Sequence, residues 1–163
     1  MSKIETALNT QMNREHQAFY FYLAGASHFE AQNLEGVAKW MRAQAEEEMS
    51  HAKRYHDFLL RTNRSVVYGD LTAPKITWNN SLDAFNEALS HEKAITKTTH
   101  ELLDLAHAER DYPCIEFLQW FVQEQVEEED SIQSIIDRIN LMHSDNRSDY
   151  FLDKELGKKV LAD

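Results

Sequence analysis

The chain has 163 residues, enough for one domain with a substantial core, and its formal net charge at pH 7 is -11. Such a surface offers no basic footprint for nucleic acid or for an anionic membrane, so neither is expected as a partner. No apolar run approaches the ~20 residues of a membrane-spanning helix. The acidic balance favours cations as ligands, although solubility alone would also explain it.

The cellular compartment is indicated by two features of the sequence. The first residues, Met1 to Thr6, do not form the apolar segment of a signal peptide. Cys114 is the only cysteine, so an internal disulfide cannot form. Both features lead us to expect a cytoplasmic protein.

Long helices are predicted along the whole chain, because it contains only four glycines and two prolines and no sustained two-residue alternation. Asn33 is the predicted N-cap of the second helix, and Pro113 fits the first turn of the fourth. Asn80 or Ser81 begins the third helix, and Asp111 opens the fourth. The predicted helices cover residues 3–30, 34–62, 80–109, 111–142 and, as a shorter fifth helix, 148–160.

The connections between these helices predict their directions. The first–second and third–fourth links are a few residues long, so each pair is antiparallel. The segment 63–79 is long, contains Gly69 and Pro74, and can bring the third helix in parallel to the second. The prediction is therefore a single all-α domain over 1–163, a four-helix bundle with one long crossover between helices 2 and 3 and a short fifth C-terminal helix.

Each of the four long helices has an acid near the middle of its apolar stripe: Glu15, Glu48, Glu92 and Glu128. The apolar residues recur at spacings of three and four, so each acid shares the face that points into the core. An unpaired buried carboxylate is very unfavourable, and four together repel one another unless a cation lies between them. The pattern therefore predicts a metal site.

The side chains around these acids indicate the kind of metal. Glu48 and His51 form a Glu-x-x-His motif on one helical face, and Gln125 and Glu128 repeat its spacing. Several carboxylates with one imidazole suit iron or manganese and do not suit a closed structural zinc site. Each motif alone is more typical of a solvated face or a surface histidine. The metal prediction depends on all four acids occurring at comparable depth.

Several longer segments resemble the non-haem bacterial ferritins over essentially the whole chain. These segments are residues 9–15 on the first helix, 45–51 on the second, 117–129 on the fourth and 150–156 on the fifth. The resemblance implies a ferroxidase that oxidises Fe(II) with O2 or H2O2 at a di-iron centre within each subunit. It also implies a homo-oligomeric shell of 24 subunits that stores ferric mineral.

The resemblance also implies roles for individual residues. Tyr22 matches the tyrosine beside the di-iron centre, although core packing is its default interpretation. The implied iron ligands are Glu15, Glu48 and His51 at the first site, with Glu48 bridging; Glu92 and Glu128 at the second, with Gln125 near it; and Glu47, Glu124 and Glu127 at a third.

The sequence departs from the bacterioferritin pattern at the second site. Bacterioferritins carry a second Glu-x-x-His there, whereas this chain has Gln125-x-x-Glu128. That difference favours transient iron binding at the second site. Met49 resembles the haem-ligand methionine of bacterioferritins, but packing or a surface contact is the preferred interpretation, and haem is not expected.

Other functions are consistent with part of this pattern. A haem-containing cage like the bacterioferritins, or a non-storing di-iron oxidase or peroxidase, is the alternative function. Rubrerythrin-like peroxidases usually carry a cysteine-rich module, and mini-ferritin shells of 12 subunits place the metal between subunits. A purely structural bundle would have to bury four acids without a metal, for which there is no physical reason.

Overall fold

In a computed structural model, described for residues 1–142 and 147–159, the chain forms α-helices and, within these residues, no strands. The helices are α1 Lys3–Ala31, α2 Glu35–Arg61, α3 Ser81–Glu109, α4 Tyr112–Leu141 and α5 Ser148–Lys159. The predicted all-α fold with a short fifth helix is confirmed, while Val160, the predicted end of that helix, lies outside the described residues. In the described part, no helix has the length and apolar character needed to cross a membrane.

The helices pair as their short links predict, α1 with α2 and α3 with α4, and α5 packs mainly on α2. The crossover between α2 and α3 is held along α1 by three amide side chains, Asn9, Asn13 and Gln17, spaced four residues apart. Each amide oxygen accepts from a backbone N–H of the crossover, at 2.7 Å from Val67, 2.8 Å from Gly69 and 2.8 Å from Thr72. Because side chains four apart share one helical face, this ladder guides the crossover along α1.

The predicted N-cap of α3 is confirmed, and the predicted N-cap of α2 is wrong. The side chain of Asn80 accepts from the backbone N–H of Asp83 at 2.9 Å, and Asp111 caps α4 in the same way. Asn33 does not cap α2, because it has a φ of 60° in the tight turn between α1 and α2. The turn needs a left-handed residue there, and asparagine tolerates that conformation better than most residues.

The cap of α2 comes from α5 instead. One carboxylate oxygen of Asp153 accepts from the backbone N–H of Gly36 at 2.6 Å and of Val37 at 3.0 Å. Gly36 lies so close to α5 that an added Cβ would fall 1.9 Å from the carbonyl oxygen of Asp153. The absence of a side chain at Gly36 is therefore what allows α5 to dock on the N-terminus of α2.

Gly36→Ala should displace α5 and lower the melting temperature by roughly 2–8 °C, the range for a loss of about 1–2 kcal/mol in a chain of this length. Gly69→Ala is the matched control, because its Cβ would meet Asn13 at an ordinary 3.5 Å. Circular dichroism melts of the metal-free proteins measure both shifts. Equal melting temperatures for wild type and Gly36→Ala would show that α5 adapts without loss.

The buried apolar side chains form two clusters, one toward each end of the bundle. One cluster includes Phe29, Met41 and Phe85, and the other includes Leu8 and Leu118. The acids predicted from the stripes lie between the two clusters. The middle of the bundle is therefore a polar layer enclosed by two apolar ones.

Candidate metal centre

The four acids of the apolar stripes are buried together. Glu15, Glu48, Glu92 and Glu128 are exposed by 1%, 1%, 0% and 5%. Apolar residues one turn away on each helix are buried as well, so the packing of those residues turns the acids inward. One acid from each of the four long helices thus reaches the polar layer.

The first group of candidate ligands consists of Glu15, Glu48 and His51, whose ligand atoms all lie within 4.8 Å of one another. His51 Nδ1 is 3.5 Å from Glu48 Oε2. Glu15 Oε2 and Glu48 Oε1 find no hydrogen-bond partner among the described residues, although both are fully buried. Unpaired carboxylate oxygens in a protein interior are unfavourable, and a bound cation would satisfy them.

A second group consists of Glu47, His51, Glu124 and Glu128, again with ligand atoms within 4.8 Å of one another. His51 Nε2 lies 3.8 Å from Glu124 Oε1, so the two ring nitrogens of His51 face the two groups. Gln44 donates to Glu128 at 3.0 Å and to Glu47 at 3.3 Å. The histidine therefore joins a buried group to one nearer the surface.

Glu92 belongs to neither group. Tyr22 donates its hydroxyl proton to Glu92 Oε1 at 2.6 Å, and Gln125 donates to Glu92 Oε2 at 3.1 Å. Burial, followed by the charge of Glu92, raises the pKa of Tyr22 well above its ordinary value. Tyr22 is therefore a neutral hydrogen-bond donor that fixes the orientation of Glu92.

Glu127, which was predicted for a third iron site, also lies outside these groups. Glu127 is exposed. Its charge contributes to the raised pKa of Glu47, which is raised chiefly by burial and also by the charge of Glu124. Of the three residues predicted for a third iron site, the structure therefore groups only Glu47 and Glu124. Met49 is 39% exposed on α2.

Two glutamines of the site were not found by sequence reasoning. Gln11 donates to Glu15 Oε1 at 3.0 Å and accepts from Thr98 Oγ1 at 2.8 Å, and Gln44 holds Glu128 as described above. Each glutamine lies four residues before an acid of its own helix, at a buried position. A polar residue one turn before an acid that lies in an apolar stripe is therefore the sequence signal for a hydrogen-bond partner of the site.

The electrostatics of the site favour protonated carboxyls in the absence of a cation. Burial raises the pKa of Glu15 and of Glu48 well above the ordinary value, and neighbouring carboxylates raise both further. Burial and the charge of Glu92 raise the pKa of Glu128 to about 8. For Glu92, burial raises the pKa while the hydrogen bonds from Tyr22 and Gln125 partly offset it. A cation would replace these protons, because it stabilises the same carboxylates in their charged form.

The chain is similar to known proteins over almost all of its length. Residues 5–142 match the family model described as Ferritin-like domain. Proteins named bacterial non-heme ferritin, from Staphylococcus epidermidis and Staphylococcus aureus, are each 33% identical over 94% of this chain, which is 92% and 93% of theirs. The crystal structure of an open pore ferritin from the hyperthermophilic archaeon Archaeoglobus fulgidus is 40% identical, with a TM-score of 0.93 over 96% of this chain and 97% of that one.

Proposed function

This chain belongs to the ferritin family, and from that premise we propose that it is a ferroxidase that oxidises Fe(II) to Fe(III) and stores ferric mineral. The observation that carries the proposal is the pair of free, buried carboxylate oxygens on Glu15 and Glu48, beside His51. Two Fe(II) ions supply the two electrons, and the solvent the two protons, that reduce O2 to hydrogen peroxide, while the protein supplies position and charge. Fe(II) is thus the substrate of the site.

The residues of the first group would bind the first Fe(II). Glu15 and Glu48 offer hard anionic oxygens, which stabilise Fe(III) relative to Fe(II), and His51 adds a directional neutral ligand. We propose that Glu48 also reaches the second ion, since the charges of Glu92 and Glu128 are near enough to raise the pKa of its carboxyl. This arrangement supports a bridging role for Glu48.

The second Fe(II) would be bound by Glu92 and Glu128. Gln125 and Tyr22 hold Glu92, and Gln44 holds Glu128, so both carboxylates are oriented before the ion arrives. Hydrogen-bond partners of metal ligands tune the geometry and affinity of a metal site in this way. Within residues 1–142 and 147–159 no second histidine joins these acids, and we propose that this site binds iron transiently.

Glu47 and Glu124 would then hold iron that leaves the first two sites. Both face His51 or Glu128 and lie nearer the surface than the buried acids. Such a position suits a third, staging site between the buried centre and the solvent. Glu127 would act mainly through its charge on Glu47.

The proposed storage function requires a shell, and we propose a homo-oligomer of about 24 subunits in the cytoplasm. Support comes from the family and from apolar side chains on the crossover: Val67, Tyr68, Leu71 and Ile76 are exposed by 43%, 66%, 46% and 71%. Exposed apolar residues near one another are typical of protein interfaces. Light scattering should give a mass of roughly 460 kDa for such a shell of 19.1 kDa subunits.

The function is tested by adding Fe(II) to the metal-free protein without oxygen and then admitting air. We expect about two irons per subunit to be oxidised in a first fast phase, followed by slower growth of a ferric mineral retained by the shell. Stopped-flow absorbance follows the first phase, and gel filtration with iron analysis follows the mineral. Oxidation without retained mineral would instead support a non-storing di-iron oxidase.

Replacing Glu127 and Glu124 separately tests the proposed staging site. Glu124→Ala should slow turnover after the first phase by roughly 3–10-fold, because Glu124 lies within the group that includes His51. Glu127→Ala should have the smaller effect, since Glu127 is exposed and lies outside that group. Stopped-flow measurements over repeated Fe(II) additions give both rates. A loss of the first phase in either variant would place that residue in the di-iron centre itself.

A further inference from the structure

The layer next to the acids, toward the N-terminus of α1, is polar although it lies deep inside the bundle. It contains Gln11 from α1, Tyr55 from α2 and Thr99 from α3, and Phe121 from α4 closes the fourth side. These four side chains are exposed by 1%, 0%, 0% and 1%. The ring of Tyr55 is stacked on Phe121 with 4.3 Å between the ring centres, so its hydroxyl has a defined position.

Three oxygen atoms of this region have no hydrogen-bond partner among the described residues: Glu15 Oε2, Tyr55 Oη and Thr99 Oγ1. Gln11 donates to Glu15 and accepts from Thr98, which is next to Thr99 on α3. Tyr55 lies one turn after His51 on α2, and His51 is grouped with Glu15, so the three side chains border the same buried layer. The Tyr55 and Thr99 hydroxyls do not meet hydrogen-bond geometry with each other. Three unpaired oxygens bordering one buried layer point to a common missing partner.

We propose that one buried water molecule bridges Tyr55, Thr99 and Glu15 Oε2, and that Tyr55 thereby positions the Glu15 carboxylate. A buried water typically makes about three hydrogen bonds to otherwise unpaired polar groups, which matches the three oxygens here. The water would accept from the Tyr55 hydroxyl and donate to Glu15 Oε2 and Thr99 Oγ1. All three oxygens are then satisfied.

The bridge would complete a clamp on Glu15. Gln11 already holds the other carboxylate oxygen, Oε1, at 3.0 Å. With the water on Oε2, both oxygens of Glu15 are held from the same side of the site. Oε2 retains a second lone pair for a metal ion, because a carboxylate oxygen has two. The positioning role of Tyr55 rests on the proposed metal site, whereas the water bridge does not.

The water bridge is tested by removing each hydroxyl at nearly constant volume in the full-length, metal-free protein. Tyr55→Phe and Thr99→Val should each lower the melting temperature by a few degrees, because each breaks a satisfied hydrogen bond. If no water is bound and the hydroxyls are unpaired, each substitution should instead raise the melting temperature, since deleting an unsatisfied buried polar group stabilises the fold. An unchanged or raised melting temperature in either variant would therefore overturn the bridge.

The double variant tests whether the two hydroxyls share one water molecule. If they do, the loss in Tyr55→Phe/Thr99→Val is smaller than the sum of the two single losses, because the bridge is already broken by either change. Strictly additive losses would contradict a shared water. Tyr112→Phe, which removes an exposed hydroxyl at the start of α4, is the control and should leave the melting temperature unchanged.

The positioning role is tested with redox-inert metals. Tyr55→Phe should weaken Zn(II) binding about fivefold by calorimetry and alter the visible spectrum of bound Co(II), since Glu15 would present its oxygen at a different angle. An unchanged affinity and spectrum would reject the positioning role. Failure of the wild type to bind Zn(II) would overturn the proposed metal site, and the melting data would still decide the water bridge.

Discussion

Glu48→Gln should slow the first oxidation of Fe(II) by roughly 100-fold or more. Mutating even a hydrogen-bond partner of a metal ligand lowers metal affinity or activity about 10–100-fold, and Glu48 is proposed as a ligand itself. Glu48 is 1% exposed, carries a free buried oxygen and interacts with acids from two other helices. The substitution keeps the shape of the side chain and removes the charge that would hold both ions. Stopped-flow absorbance after mixing with aerobic Fe(II) gives the initial rate.

Glu46→Gln is the control for this experiment, since Glu46 is exposed on the same helix two residues earlier. Its initial rate should equal that of the wild type. Circular dichroism and the mass of the assembled protein establish that both variants fold alike. A wild-type rate in Glu48→Gln would exclude this residue from the reaction, and His51→Ala should reproduce the loss if the first group is the site.

Glu128→Gln should raise the melting temperature of the metal-free protein. The pKa of Glu128 is about 8, raised by burial and then by the charge of Glu92, so its ionised form is unfavourable in the fold. Each pKa unit of such a shift corresponds to about 1.4 kcal/mol in the free energy of unfolding. A change of 1 kcal/mol shifts the melting temperature by roughly 2–4 °C in a chain of this length. We therefore expect an increase of at least about 3 °C at pH 8, with a smaller gain on adding Zn(II) than in wild type.

The increase should depend on pH in a defined direction. Between the ordinary pKa of 4.5 and the folded value of about 8, the folded protein holds a proton that the unfolded chain has released. The stability contributed by protonated Glu128 is therefore fully present below the ordinary pKa and is lost as the pH rises through the folded pKa. The advantage of Glu128→Gln over wild type should be small at about pH 5 and largest near pH 8 and above.

Differential scanning calorimetry of chelated samples across this pH range measures the difference. Glu116→Gln, which removes an exposed acid from the same helix, should show no comparable gain. A Glu128→Gln variant that melts at or below the wild-type temperature at pH 8 would mean that the acids do not repel one another in a shared cavity. The metal-centred interpretation of the four stripes would then be wrong.

Local and periodic features of this protein could be predicted from the sequence. Spacings of three and four determine the buried face of a helix, and the few glycines and prolines leave those helices uninterrupted. The predicted helix bounds therefore agree with α1 to α4 to within one residue at each end. The same periodicity predicted that Glu15, Glu48, Glu92 and Glu128 would point into the core, where the structure places them.

Contacts between distant segments required the tertiary structure. The cap of α2 is Asp153, 117 residues from Gly36, whereas the adjacent Asn33 is used for a left-handed turn. The grouping of His51 with Glu124 and the exposure of Glu127 likewise depend on how α2 and α4 rotate against each other. Periodicity gives the face of a helix but not its partner atoms.

The hydrogen-bond partners of the acids also depend partly on the sequence and partly on the tertiary structure. Tyr22 occupies a buried stripe position that the sequence predicts, whereas Gln11 and Gln44 were recognised only in the structure. Gln11 binds Glu15 of its own helix, and packing across helices brings Gln44 to Glu128 and Tyr22 to Glu92. The sequence by itself determined the helices and the inward acids and led to the prediction of a cation site, because these follow from periodicity and the free energy of burying charge. Only the tertiary structure decided which carboxylate oxygens stay free, because that depends on atomic distances between chain segments that the pattern of residues does not specify.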